Sequence, residues 1–524
     1  MVKQIRAFSA LFMAISLFIS SGCSEKPKQE EIINSPADRD VNSITCMVWD
    51  RGNFPAGYDA DNNTLANWIR AKVKEECGID LHFVSVKREN SDDEINRMID
   101  NGTAPDILFT YTPSEFGYLA RQGKVADLTD SYKKYGKDIN KYIGDIQHMG
   151  IYNDHQVAIL KRRGFKEPRH VAYIRKDWCD ALGMNVPSTK EELIDYLYAV
   201  KKNDPGGVSD VIPWAMGGDI NSERFYQSFV NSFVGELTER DAFIYSERYM
   251  VVAEGALEGL KELNRLYNDG LITLDFTADR DNSLFISSVD SGRAGFIVDD
   301  STRPFSSISK LKEKDPSAKY VPVLCFEGAD GKYRNVTEPD HGMYIMVSAA
   351  SRDKTDAAMK YLNWLSDPQN AEMVNFTPDH LTSESGAAMA MSREDLFSHG
   401  YPGNPDDYCI VNAHFDFVDD KNAQISTWAE NCEWEDYEWF ENFYNICVTD
   451  RFTFPVSSAI LESEAKYQIN LDKALVEYAY NLICCPRDDF EKTSEMEYKR
   501  LKELGLEEVL EERAKCYDSG EYIR

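Results

Sequence analysis

The sequence predicts an α/β fold of mainly parallel sheets flanked by helices, in a folded region long enough for two lobes and ending in a helical C-terminal extension. Three observations carry this. From residue 43 onward, short β-branched runs alternate with segments of helical periodicity, the pattern of βαβ units. Roughly 480 residues follow the N-terminal segments, more than a single hydrophobic core holds. The hydrophobic fraction of 43% and aromatic fraction of 12% are globular values that leave Tyr and Phe to spare.

At the N-terminus, Lys3 and Arg6 precede the apolar run Ala7 to Ile19, and Ser20-Ser21-Gly22-Cys23 closes it. The run has the length of an export signal and is too short to span a bilayer, which takes roughly 20 apolar residues. Small residues before a cysteine resemble the bacterial lipobox, so residues 1–22 read as a lipoprotein signal peptide and Cys23 as the acylated first residue of the mature chain. Two or three acyl chains anchor stably where one does not. An ordinary secretory signal with a chance cysteine is the alternative. Residues 23–42 are charged, punctuated by proline and nearly free of aromatics, a composition that does not fold and serves as a tether.

The folded part begins with the strand candidate Cys46 to Trp49. Thr64 to Cys77 has apolar residues at Leu65, Trp68, Ile69 and Val73, a helical spacing, and Asp80 to Val86 reads as a second strand. Asp92 to Ile99 reads as a helix, and Gly102-Thr103-Ala104-Pro105 turns into a third strand, Asp106 to Tyr111. Such units build a parallel sheet with right-handed crossovers, whose ligands bind beyond the carboxyl ends of the strands. Trp49-Asp50 and Tyr111-Thr112 stand there. Further on, Thr189 ahead of Glu191 and Glu192 reads as a helix N-cap, and Asn268-Asp269-Gly270 as a helix end. Gly292 and Gly295 turn into the strand Phe296-Ile297-Val298, which presents Asp299 and Asp300 at its end. Asp472 to Ile483 and Ser494 to Tyr517 read as a bracing helix pair.

The formal charge of −31 makes nucleic acid and anionic lipid surfaces poor partners. Eleven cysteines include no CxxC spacing, so zinc has little support; burial as thiols and pairing in an exported protein both stay open. Asp59-Ala60-Asp61-Asn62-Asn63 has oxygen ligands at alternate positions but lacks the later glycine and glutamate of a calcium loop, and a capping loop explains it. No G-x-S-x-G, H-E-x-x-H or Walker pattern is visible. Adjacent acids such as Asp299-Asp300 point to opposite faces of a strand, unlike a glycosidase pair. No catalytic residue, metal or cofactor is assigned.

Residues 47–53 (Met-Val-Trp-Asp-Arg-Gly-Asn), Asn101 to Ile107, Val125 to Thr129 and Tyr173 to Trp178 resemble, in order and spacing, the extracellular solute-binding proteins of family 1, above all the large Gram-positive lipoprotein branch. Leu266 to Ile272, Gly292 to Gly295, Gly342 to Ile345 and Ala357 to Leu365 continue the series. The resemblance implies a type II periplasmic-binding-protein-like fold, an oligosaccharide held in an interlobe cleft, delivery to the permease subunits of an ABC importer, and a monomer tethered by lipid to the outer face of the cytoplasmic membrane. Other solutes, a sensing role for a membrane kinase, and a surface glycoside hydrolase are the alternatives. The expected first lobe is 43–154 with 293–348; the second is 155–292 with 349–524.

A sugar ring stacks on an indole or phenol while its hydroxyls seek charged and amide groups. Trp49, Tyr111 and Trp214 follow apolar runs and are the candidate cleft aromatics, with core packing as the competing reading. Asp50, Asp299 and Asp300 are candidate polar ligands. Trp428 and Trp434 lie in an acidic, aromatic stretch that reads equally as a binding loop or a half-buried helix; Trp364, at helical spacing from Tyr361, reads as core. Arg162, Arg163 and Arg169 form a basic run suited to vicinal hydroxyls or carboxylates, which extends the expected solute to acidic sugars. Pairing with the protein's own acids is the competing account.

Overall fold

The structure, a computed structural model, describes residues 40–523 except 165, 166, 302, 304, 305, 384, 385, 387, 414–420, 433, 435 and 458–460. The expected signal segment, Cys23 and most of the tether lie outside the described residues. Val41 onward is one unit, with two main sheets. The first contains β1 (Ser43–Asp50), β2 (Asp80–Lys87), β3 (Ile107–Thr110), β4 (Ile159–Arg162) and, far along the chain, a strand at His341–Val347. The second contains β5 (His170–Arg175), β6 (Ile212–Ala215), β7 (Ala294–Asp300) and β8 (Tyr320–Val323). With His341–Val347 as β9, the strand orders are β2-β1-β3-β9-β4 and β8-β5-β7-β6.

The strands form where β-branched and aromatic residues run nearly unbroken, as expected for strands covered on both faces. β9, flanked by β3 and β4, is buried at every position. β1 and β2 pair in parallel from Ser43 opposite Asp80 to Asp50 opposite Lys87. Each sheet has one strand against the rest, β9 in the first and β5 in the second. The route of the chain causes this. After β4 the chain leaves the first sheet at the carboxyl ends of its parallel strands and enters the second at the same kind of edge, so β5 runs the other way. β9 repeats the passage in reverse. The two passages lie side by side, with Arg169 N–H donating to the Val336 carbonyl at 2.8 Å and Arg163 N–H to that of Asp340 at 3.0 Å.

Each sheet has its own core. One holds residues between Ile44 and Leu160 and between Met343 and Val411; the other holds residues between Val171 and Phe326 and between Ile425 and Val509. This corrects the expected lobe boundaries. The described residues of 293–326, assigned to the first lobe, belong with the second core because β7 pairs with β5 and β6. The described residues of 155–160 and 349–411 belong with the first: β4 pairs with β9, and the helix Thr355–Ser366 places Tyr361, Leu362 and Leu365 in that core.

Local signals place the helices. Asn63 caps Thr64–Cys77, its Oδ1 accepting from Ala66 N–H at 2.9 Å, and Asp59 accepts from the amides of Asp61 and Asn62, so Asp59 to Asn63 is a capping loop. Thr189 Oγ1 accepts from Glu192 N–H at 3.2 Å at the start of Lys190–Asn203. The expected second C-terminal helix is two, Phe490–Glu503 and Leu506–Ser519, because Gly505 has φ +99° and breaks the run. The long helix Glu462–Cys484 braces the second core, where Asn264 Nδ2 donates to the Leu482 carbonyl at 2.9 Å. The described cysteines are free thiols. No described helix is long and apolar enough to cross a membrane.

Candidate functional site

Where the carboxyl ends of the two sheets meet the crossing passages, a cleft of about 620 Å³ opens. The first sheet contributes Tyr111, which follows β3, and Lys161 and Arg163 from the end of β4; Asn375 and Asp406 join them from later segments. The second contributes His170 at the start of β5, Asp300 at the end of β7, and Ser222 and Arg224 from the segment after β6. Arg169 and Glu338 come from the passages themselves. The lining is largely polar, with one phenol ring.

Strand alternation decides which basic residues face the cleft. Lys161 and Arg163 face it, whereas the intervening Arg162 turns away and pairs with Asp145. The same rule separates Asp299 from Asp300. Asp300 lines the cleft and takes Arg224 Nη1 at 3.0 Å. Asp299 is fully buried behind it, held by Arg303 and, at 3.6 Å, by Arg224 Nε. Asp299 therefore positions two guanidinium groups and is out of a solute's reach.

Tyr111 is the aromatic wall. Trp49 is 6% exposed and stacks behind it, ring centroids 5.2 Å apart at 29°. The Arg163 guanidinium lies over the front of the Tyr111 ring, 5.2 Å from its centroid. Gly342 on β9 makes room for both: a Cβ there would lie 3.1 Å from Arg163 Cγ and 3.1 Å from Tyr111 Cε1. Trp49 thus supports the ring that Tyr111 presents. Asp50 is used locally, accepting from Gly52 N–H at 2.7 Å and Ser85 Oγ at 3.1 Å, beside a separate pocket with Arg51 and Arg88.

Behind the second wall is a charge network that sequence reading missed. Glu223 is 3% exposed and faces Arg248 Nε at 3.1 Å, Arg169 Nη1 at 3.5 Å and His170 Nε2 at 3.9 Å. Burial alone would raise its pKa, but these cations outweigh burial and hold the carboxyl well below its usual range. His170 also faces Asp300 at 3.4 Å. Burial favours its neutral form, yet the Asp300 and Glu223 carboxylates prevail and raise its pKa. Arg169 also reaches Glu338 at 3.2 Å. The signal for Glu223 and Arg224 was their place in the segment after β6, beyond a strand's carboxyl end.

Besides Trp49, Asp50, Arg162 and Asp299, three further candidates fall outside the cleft. Trp214 is fully buried in the second core against Phe229, Phe296 and Phe326, because β6 is covered on both faces. Trp428 packs on Phe440 and Phe443. Trp434 packs on Trp439 and Phe440 and donates its indole N–H to Ser309 Oγ at 2.7 Å. Of the two readings of that stretch, the structure has half-buried packing on the second core. Among the described residues no group of three or more His, Cys, Asp or Glu side chains is placed to hold a metal ion.

The sequence model of the bacterial extracellular solute-binding protein family matches residues 60–372. Lipoprotein LipO of Bacillus subtilis is 24% identical over 319 residues, covering 58% of this chain and 61% of that protein. The fructooligosaccharide ABC transporter substrate-binding protein FusA of Streptococcus pneumoniae is 24% identical over 296 residues, covering 52% and 49%. The chain thus spans about half to three-fifths of the length of these curated relatives. Among solved structures, an HMO binding ABC-transporter associated solute binding protein from Bifidobacterium longum infantis superposes with a TM-score of 0.62 at 15% identity, covering 91% of this chain and 99% of that one. That likeness shows a shared periplasmic-binding-protein-like fold.

Proposed function

The chain belongs to the bacterial extracellular solute-binding protein family, and on that premise we propose that it captures an oligosaccharide between its two sheets and delivers it to the permease subunits of an ABC importer. The observation that carries the reading is the cleft itself, in which Tyr111, Lys161 and Arg163 from one sheet face His170, Arg224 and Asp300 from the other. A phenol held between an indole and the Arg163 guanidinium offers its remaining exposed surface to a sugar ring, and the surrounding ions suit the sugar's hydroxyls. Because each wall holds half of the contacts, only a solute that bridges them favours a closed arrangement, and a membrane partner can read closure. The fructooligosaccharide transport for which FusA is named supports the same class.

The mature protein, in this reading, begins at Cys23 and is held by acyl chains at the outer face of the cytoplasmic membrane. It acts as a monomer, binding its solute without chemical change. A thermal-shift screen of neutral and acidic oligosaccharides, amino acids and peptides tests the cargo. A ligand at 100 times its dissociation constant adds about 2.7 kcal/mol to the folded state. A shift with one glycan class is expected; silence across all sugars with a shift for amino acids or peptides overturns the carbohydrate reading.

A further inference from the structure

The cations of the cleft are unequally neutralised. On the second wall Arg224 is matched by Asp299 and Asp300, and Arg169 by Glu223, Glu247 and Glu338. On the first wall Lys161 is only 8% exposed, lines the cleft, and makes no hydrogen bond or ion pair with any described residue. Its strand neighbour on the same face, Arg163, reaches a carboxylate only at 3.8 Å, that of Glu338, and its buried Nε has no hydrogen-bond partner. Of the other nearby acids, Asp407 is gripped by Arg51 Nε and Nη2, each at 2.7 Å, and Asp406, which also lines the cleft, accepts from Asn404 Nδ2 at 3.3 Å and forms no ion pair with Lys161 or Arg163. Burial pushes the Glu167 carboxyl upward, against the pull of Arg451 and Arg163.

An ammonium on a mostly buried side chain with no protein partner relies on water, because desolvation of an unpaired charge is costly. Water in the cleft meets that need while the site is empty. A solute that expels the water has to replace it, and a neutral hydroxyl does so poorly. Resting on the proposed carbohydrate function, we infer that Lys161 and Arg163 form an anion subsite for a carboxylate of the solute, so that the cargo is a uronic-acid oligosaccharide. The carboxylate lies between an ammonium point charge and a guanidinium fork, and its ring lies against Tyr111. The chain's charge of −31 opposes an anion at long range, but at physiological salt that field is screened within about 8 Å, and the local pair decides.

The test is calorimetric titration of the full chain with oligomers of glucuronate, galacturonate, mannuronate and guluronate, each beside its counterpart reduced from carboxylate to hydroxymethyl. At least one uronate is expected to bind at least tenfold more tightly than its reduced partner, the scale of one charge-assisted hydrogen bond. Lys161→Met is expected to erase most of that ratio and Lys161→Arg to retain it. Arg163→Gln serves as the second variant should Lys161→Met fail to fold. Equal or tighter binding of the reduced sugars, or a ratio unchanged in both Lys161→Met and Arg163→Gln, overturns the inference and leaves carbohydrate binding standing. Silence to every uronate with binding of a neutral sugar does the same; silence to both sets overturns the inference and the carbohydrate reading together.

Discussion

Substituting Glu223 by Gln keeps the side chain's volume and removes its charge. Glu223 is 3% exposed and is the common counterion of Arg248 at 3.1 Å, Arg169 at 3.5 Å and His170 at 3.9 Å. Breaking a buried ion pair by removing one partner costs about 3–5 kcal/mol, because the remaining charge stays desolvated. Arg248 keeps Asp472 at 3.8 Å and a hydrogen bond to the Asn221 carbonyl, and Arg169 retains Glu338, so the expected loss lies near the lower end, about 3 kcal/mol. An unfolding entropy of about 2.1 cal/mol/K per residue gives the unit Val41–Arg524 about 1 kcal/mol per °C, so Tm falls by roughly 3 °C. Differential scanning calorimetry at pH 7 measures it. The sign with pH also follows. Glu223 has a depressed pKa in the folded chain, so its contribution is present above the unfolded carboxyl pKa of about 4.3 and is lost as pH falls through the folded value. The gap between wild type and Glu223→Gln should therefore close toward strongly acid pH. A Tm change below about 1 °C at pH 7, or a gap that widens in acid, refutes the assignment of Glu223 as the network's anchor.

Three other outcomes are expected. His170 has a raised pKa, so its contribution is complete below the unfolded value of about 6.5 and is lost as pH rises through the folded one; denaturant melts of His170→Asn should show a larger deficit at pH 5.5 than at pH 9. Tyr111→Ala should weaken binding of the cargo by about 1–3 kcal/mol for a lost stacking face, read by titration, with little change in melting. Trp214→Ala should instead destabilise by about 3–5 kcal/mol as a core truncation, read by denaturant unfolding, and a loss below about 1 kcal/mol would contradict its placement against Phe229, Phe296 and Phe326.

The first sheet was legible in the sequence because its early units are contiguous: β1, the helix Thr64–Cys77, β2 and β3 follow one another, and each shows its own periodicity. Strand ends were legible too, which is why Tyr111 and Asp300, which line the cleft, stood among the candidates. Lobe membership was not, since β4 and β9, or β5 and β7, pair across more than a hundred residues, and nothing local announces that pairing. Alternation on β4 separates Arg162 from Arg163 only once the cleft-facing side is known. Trp49 and Trp214 both follow apolar runs, yet Trp214 lies in a strand covered on both faces. Glu223, 3% exposed, has no sequence mark of burial, because its three cations come from two separate segments.

The most direct test of the central claim is a crystal structure of the protein with the oligosaccharide that gives the largest thermal shift. The account predicts sugar density in the cleft, against Tyr111 and within hydrogen-bond distance of Arg224 or Asp300 on one wall and of Lys161 or Arg163 on the other. A sugar bound elsewhere, or touching only one of the two sheets, would contradict it.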